Sequence, residues 1–310
     1  MADCVYESIP TIVPPPRSIE ITQNGDYNVD FLDSVTVNVS GGSTPVLESL
    51  SVTANGTYTP SAGVDGFDSV DVNVSGGGGG DELLNSIIDK TVSGSITITA
   101  STVGTYAFAE CQSLVSIDLP NAVQIDPIAF SSCTSLAFVN IPNVTEIGLN
   151  AFFYCKNLTS VNMPNVIKIK SSAFFSCSSL TSVDLPNATT LEASTFLQCI
   201  GLASVSIPNV SSIGAAAFRS CTALTSISLP KLSSFNSSVF QNCYNLLSVY
   251  LPGSSLVGLK ASNAFTSTPI AGYTASTGGV LGSIFVPSSL YSNYVAASAW
   301  SYFNSRFASI

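Results

Sequence analysis

"AFFYCKNLTSVNMPNVIKIKSS", Ala151 to Ser172, is followed without a gap by "AFFSCSSLTSVDLPNATTLEAS", Ala173 to Ser194. The two lines carry Phe, Cys, Leu and Pro at the same places, 22 residues apart. The echo runs well beyond them. Cysteine returns at Cys111, Cys133, Cys155, Cys177, Cys199, Cys221 and Cys243, and every step is 22. Phe keeps the same step from Phe108 to Phe240, Leu from Leu114 to Leu246, and Pro from Pro120 to Pro252. Fixed self-similarity at this period marks a solenoid, because one such unit cannot bury its own apolar face and its neighbours must cover it.

Each unit divides in two. In A-F-x-x-C-x-x-L the apolar side chains fall at steps of three and four, which predicts a short helix or 3-10 segment. S-V-x-L-P alternates, which predicts a strand with Val161 and Met163 facing inward and Ser160 and Asn162 outward. Pro has no N–H to give to a ladder and ends the strand. Asn follows in five coils (Asn121, Asn143, Asn165, Asn187, Asn209) and reads as a turn. A second apolar pair, such as Val144 with Ile147, closes the coil. Gly148 and Gly214 come next, where a turn of positive φ is expected. With strands about 4.8 Å apart, about eight coils make a rod on the order of 40 Å long.

The sequence therefore predicts a repeat solenoid of 22-residue period over residues 105–262, with a short helix or 3-10 turn plus a strand in each coil. Residues 263–310 read as its C-terminal cap, since Ala264 and Phe265 arrive three residues late and no Cys follows. There "IFVPSSLYSNYVAASAWSYFNSRF" predicts a last strand at Ile284 to Val286. A helix capped by Ser288 follows, with Leu290, Tyr294, Ala297 and Trp300 as a lid. At the other end, "DELLNSIIDK" within residues 81–104 carries Leu83, Leu84, Ile87 and Ile88 on one face and plays the same part.

Before residue 81 the chain changes character. Residues 1–17 form a Pro-rich leader suited to docking. Residues 18–42 and 43–75 are two small all-β units that share N-G-x-Y and D-S-V-x-V-N-V-S-G-G, and residues 76–80 are a glycine linker. Asn24-Gly25 and Asn55-Gly56 predict hairpins. Units this small need a core from one another or from other copies of the chain, so a homo-oligomer is expected, with a trimer favoured. Residues 1–104 hold 13 Asp and Glu against 2 Lys and Arg, whereas residues 105–262 hold 6 of each. Acidity placed like this argues against nucleic acid or an anionic membrane as partner. No apolar run approaches the ~18 residues of a membrane span, and "MADCVYESIPTIVPPPRS" lacks the basic start and apolar stretch of an export signal.

Catalytic chemistry finds no foothold. The chain contains no His, which removes the commonest general base and metal ligand. The glycine run is not followed by G-K-S or G-K-T, and no G-x-S-x-G occurs. Rod carboxylates are scattered, with Glu110, Asp118 and Asp126 in one coil and Asp184 and Glu192 in another, so a paired acid and base would have to come from stacking. No C-x-x-C is present, and in-register cysteines on neighbouring coils would keep their Cβ atoms near the strand spacing, beyond the ~3.5–4.5 Å of a disulfide. The cysteines are read as buried free thiols. No catalytic, cofactor or metal site is expected.

What a solenoid offers is surface. On the sheet face the residue after the inward Val or Ile runs Asp118, Asn140, Asn162, Asp184, Ser206, Ser228, Tyr250, and the neighbouring row is Ser except at Phe138. This strip suits hydrogen bonding to a glycan or protein, or is simply a solvated face. On the opposite side Phe153, Phe175 and Leu197 occupy consecutive coils with Tyr154 adjacent, either as an exposed contact patch or packed between coils.

The A-F-x-x-C-x-x-L-x-S-V-x-L-P repeat over residues 107–252 resembles the BspA-like (Treponema-type) leucine-rich repeats. That resemblance implies a right-handed solenoid used for adhesion or binding rather than catalysis. The combination of N-G-x-Y units, a glycine joint, these repeats and "FVPSSLYSNY…WSYF" resembles accessory fibre or tail proteins of phages. It implies a virion protein made in the host cytoplasm, joined to other virion proteins through residues 1–75 and presenting the solenoid to a host-surface glycan or protein. The alternative it leaves is a bacterial surface or secreted adhesin.

Overall fold

A computed structural model describes residues 94–98 and 101–310, together with the backbone of three earlier strands, Gly25–Val29, Leu47–Val52 and Ser69–Val72. Gly25–Val29 pairs parallel with Leu47–Val52, and Ser69–Val72 pairs parallel with Gly94–Ile98. Gly25, expected in a hairpin turn with Asn24, opens the first of these strands instead. Asn24, the expected leader, the turn at Asn55-Gly56, the glycine linker and the "DELLNSIIDK" cap lie outside the described residues.

Residues 102–250 form a solenoid of parallel short strands that recur every 22 residues, and residues 251–310 continue and close it at other spacings. S-V-x supplies one side of each coil: Leu114–Asp118, Phe138–Asn140, Ser160–Asn162, Ser182–Asp184, Ser204–Ser206, Ser226–Ser228 and Ser248–Tyr250. Pairing is in register, with Ser116, Phe138 and Ser160 side by side, and Asp118, Asn140 and Asn162 beside them. Two-residue strands supply the second side, six of them from Thr102–Val103 to Ser212–Ile213 in one sheet. Between these sides runs the Pro-Asn turn. There the Asn amide ties each coil to its predecessor: Asn143 donates to the Pro120 carbonyl at 2.6 Å, and Asn165 to that of Pro142 at 2.9 Å.

The third side, expected as a short helix or 3-10 segment, keeps i→i−3 bonds of the 3-10 kind but forms no continuous helix. A-F-x-x-C-x-x-L forms successive turns in which N–H groups alternate in destination. Those of Ala107, Ala109 and Cys111 reach back three residues, whereas those of Phe108 and Glu110 donate to Ala129 and Ser131 of the next coil, both at 2.7 Å. An α-helix needs every N–H for its own i−4 carbonyl. Here half are committed to the neighbouring coil. That commitment is made by two left-handed residues per coil, four apart: Tyr106 with Glu110, Ile128 with Ser132, Asn150 with Tyr154, and so on to Ser238 with Asn242, all with φ between 54° and 64°. Each such L-residue costs roughly 1–2 kcal/mol, which the inter-coil bond offsets.

The expected positive φ at Gly148 and Gly214 is likewise corrected. Neither adopts it. Their requirement is closeness: a Cβ on Gly148 would lie 2.5 Å from the Asp126 carbonyl carbon, and one on Gly214 would lie 2.3 Å from the Ala193 nitrogen. The coils touch backbone to backbone at these two points, and only a residue without a side chain fits.

The core is a set of ladders along the rod. Rings of Phe108, Phe130, Phe152, Phe174, Phe196, Phe218 and Phe240 stack with centroids 4.9 to 5.6 Å apart and planes within 15°. All are fully buried. The cysteines beside them are free and buried. From Cys133 onward each thiol donates to the carbonyl of the Phe 25 residues earlier, for example Cys155 to Phe130 at 3.0 Å and Cys177 to Phe152 at 3.1 Å. The same carbonyl also accepts the backbone N–H three residues on, as Phe130 does from Cys133 at 3.2 Å. Cysteine thus packs as a small buried side chain while its thiol meets the second lone pair of a buried carbonyl. Burial pushes the thiols of Cys155, Cys177, Cys199 and Cys221 well above their ordinary range.

The C-terminal segment closes this stack. Phe265 continues the ring column against Phe240 at 5.7 Å, and Phe303 meets Phe265 edge-on at 5.4 Å. In the place of the missing Cys stands buried Thr268, whose hydroxyl donates to the Phe265 carbonyl at 2.7 Å. Strand Ser283–Val286 pairs with Ser248–Tyr250, and a last strand, Phe307–Ser309, pairs with Ile284–Val286. The expected helix capped by Ser288 is shorter than predicted: a 3-10 turn at Ser288–Leu290, an α-helix over Tyr291–Ala296 only, then a 3-10 segment at Ser298–Arg306. The Ser288 hydroxyl donates to the Ile310 carbonyl instead of capping. Tyr294 and Trp300 are buried as a lid requires, whereas Leu290 and Ala297 are half-buried against the core.

Candidate binding surface

The sheet face is built by strand parity. Inward residues such as Ile117, Val139, Val183, Ile227 and Val249 are buried, so their flanking neighbours point to solvent. Asn162, Asp184, Ser206 and Ser228 are exposed, and Asp118, Asn140 and Tyr250 half-buried. Phe138 is exposed between Ser116 and Ser160.

In-register pairing places equivalent side chains one strand apart, close enough to bond. The Asn162 amide donates to the Asn140 side-chain oxygen at 2.6 Å, and the Asn140 amide donates to an Asp118 carboxylate oxygen at 2.5 Å. An amide is donor and acceptor at once, so Asn can pass a chain of bonds along the rod and Asp can end it. Toward the C-terminal end hydroxyls replace amides, and then an aromatic pair appears: Tyr250 stacks on Phe285 with centroids 4.6 Å apart and planes 12° apart. Phe285 is absent from the strip read by sequence, because the break in period before it hides its place. The structure brings the strip into one line along the coils.

On the opposite side Phe153, Tyr154, Phe175 and Leu197 are half-buried. Phe153 stacks on Phe175 at 4.8 Å, and Tyr154 leans on both, at 4.7 and 5.7 Å. Lys156 lies over the Tyr154 ring at 5.2 Å. The rings therefore cover one another between coils more than they present a flat apolar surface. On the second sheet, Lys170 sits between Glu146 and Glu192 at 3.6 and 3.3 Å. That trio is a surface tie across three coils. Among the described residues no cluster of metal-ligating groups occurs, and no helix is long and apolar enough to cross a membrane.

The family described as BspA type leucine rich repeat region (6 copies) matches residues 90–199 and 145–270, more than half of the 310 residues. The chain belongs to that family, a non-enzymatic class of leucine-rich repeat binding proteins. Among solved structures it is similar to a leucine rich repeat protein of T. pallidum, at 29% identity over 47% of this chain and 72% of that one, with a TM-score of 0.45. It is also similar to a leucine-rich repeat protein from Bacteroides ovatus, at 19% identity over 94% and 83% of the two chains, TM-score 0.47. A leucine rich cell surface protein from Faecalibacterium prausnitzii matches at 18% identity over 89% and 92%, TM-score 0.30. A search of curated proteins finds no match to this chain.

Proposed function

We propose that the chain is an adhesin-type binding protein whose solenoid presents its S-V-x sheet face to a glycan or protein on a cell surface. One observation carries this reading: a line of polar side chains, Asp118 through Ser228, held one per strand on the stacked parallel strands of successive coils. Presentation on paired strands lowers the ordering cost of binding, and repetition lets a long ligand gain contacts strand by strand. Membership in a binding family supports it. The full chain and its Asp118→Ala, Asn140→Ala, Asn162→Ala, Asp184→Ala variant would be compared for binding to immobilised glycans, matrix proteins and intact bacteria. At least a tenfold loss in the variant is expected, and equal binding by the two proteins sinks the sheet face as the site.

A second reading places the chain on a phage particle, with residues 1–75 as an oligomeric stem joined to other virion proteins. It rests on the sequence arrangement of the two N-G-x-Y units and the glycine linker, and it ranks below the first. Antibody to the chain separates the two: label on purified particles favours the virion, and label on phage-free bacteria favours the adhesin.

A further inference from the structure

We infer that the Tyr250–Phe285 pair is a shelf for neutral sugar rings. This rests on the reading of the sheet face as the binding side and narrows the ligand class at one end of it. The two rings stand parallel on neighbouring strands. In register, the residue beside Tyr250 on the previous strand is Ser228, and the one beside Phe285 on the next is Ala308. Both are too short to cover an aromatic face. Both rings are half-buried, and the outer face of each borders a short side chain, Ser228 beside Tyr250 and Ala308 beside Phe285.

Charge decides what fits there. From Ser204 to Phe285 the outward side chains of this face are Ser204, Ser206, Ser226, Ser228, Ser248, Tyr250, Ser283 and Phe285, with no ionised group among them. A phosphate or sulfate has no cation to meet on these strands, and an ammonium has no carboxylate. A neutral hexose matches instead: its C–H face lies on an aromatic ring, while its rim hydroxyls bond the flanking serines. Phe138, also bounded by serines, gives the same face a second ring five strands from Tyr250, roughly 24 Å at the usual strand spacing. An extended glycan that reaches both rings gains from linkage, so affinity rises with chain length until that span is bridged.

The test uses the full chain on an array of neutral, sialylated and sulfated oligosaccharides of graded length, with Tyr250→Ala, Phe285→Ala and Tyr250→Trp variants whose melting is measured alongside. Expected are binding to neutral glycans, a loss of at least tenfold in both alanine variants at unchanged melting temperature, and retention in Tyr250→Trp. Binding confined to charged glycans, binding to none, or equal binding by the alanine variants overturns the shelf. An alanine variant that melts early is judged by the Tyr250→Trp variant, whose failure to bind neutral glycans while folded also overturns it. The outcomes separate from those of the polar strip: if the fourfold variant loses binding and Tyr250→Ala does not, the face stands and the shelf falls.

Discussion

The indole N–H of Trp300 donates to the carbonyl of Val257 at 2.8 Å, in the buried seam between the last coil and its cap. In earlier coils the corresponding carbonyl is taken by the next coil, as Ser211 accepts from the Ser233 N–H at 3.2 Å. After Val257 no further coil follows. Trp300 supplies the missing donor, and the Tyr294 hydroxyl accepts the Val257 N–H at 2.9 Å. Two side chains thus satisfy both backbone groups of one residue.

Replacing that donor alone leaves a buried carbonyl unpaired. Trp300→Phe is expected to destabilise the cap by about 1–3 kcal/mol, and Trp300→Ala by about 3–5 kcal/mol through the added cavity. Urea unfolding followed by tyrosine fluorescence and by hydrogen exchange at Val257 checks this. Equal stability of Trp300→Phe and the parent protein would show that the bond is dispensable.

The thiol column predicts alkaline sensitivity. Burial raises Cys243 from its ordinary 9.0 to about 12, and pushes Cys177 and Cys221 well above that ordinary value. Above pH 9.0 the unfolded chain gives up thiol protons that the folded chain keeps, so the unfolded state binds fewer protons and stability falls as pH rises. The Cys243 contribution is whole below pH 9.0 and is lost by about pH 12. Urea midpoints between pH 7 and 11 are expected to drop, with each thiol adding at most about 1.4 kcal/mol per pH unit to the slope. Cys243→Ala should flatten that slope whatever it does at neutral pH, and an identical slope would count against buried, protonated thiols.

Two backbone substitutions should move stability in opposite directions. Gly214→Ala forces a Cβ against the Ala193 backbone and is expected to cost about 1–3 kcal/mol. Ala216, two residues on, is left-handed at φ 56°, so Ala216→Gly is expected to stabilise by about 0.5–1 kcal/mol. Thermal melts of the pair decide the matter. A destabilised Ala216→Gly would mean that the native strain at this position is smaller than the freedom glycine adds to the unfolded chain.

The thiol bonds can be tested by donor rather than by volume. Cys177→Ser keeps a donor for the Phe152 carbonyl, whereas Cys177→Ala removes it. Serine is expected to be the milder change, by about 1 kcal/mol. If alanine is the better tolerated, the small-hydrophobe role outweighs the hydrogen bond.

The solenoid and its outward strip were legible because stacking forces one residue type at one place in every coil. Phe, Cys, Leu and the Ser row declare themselves by period, and strand parity alone separates Val183 from Asp184. The left-handed positions were not legible, since Tyr106, Ile128 and Ala216 carry none of the Gly or Asn signature that marks such turns. Nor was the Tyr250–Phe285 stack, because Ser248 pairs with Ser283 across the one large break in period. The bonds of Tyr294 and Trp300 to Val257 join residues far apart in sequence, where no local pattern can announce them.

The ladders of phenyl rings, thiols and prolyl carbonyls have a bearing on how such a molecule changes over generations. Every rung links one coil to the next by the same offset, so an unequal crossover that removes or adds 22 codons restores all of them at once. A loss of 21 leaves one coil a residue too long, with its strand out of step with the coils on either side. Length is therefore a heritable quantity that moves in whole coils, and the reach of the protein can be altered without redesigning anything in its interior.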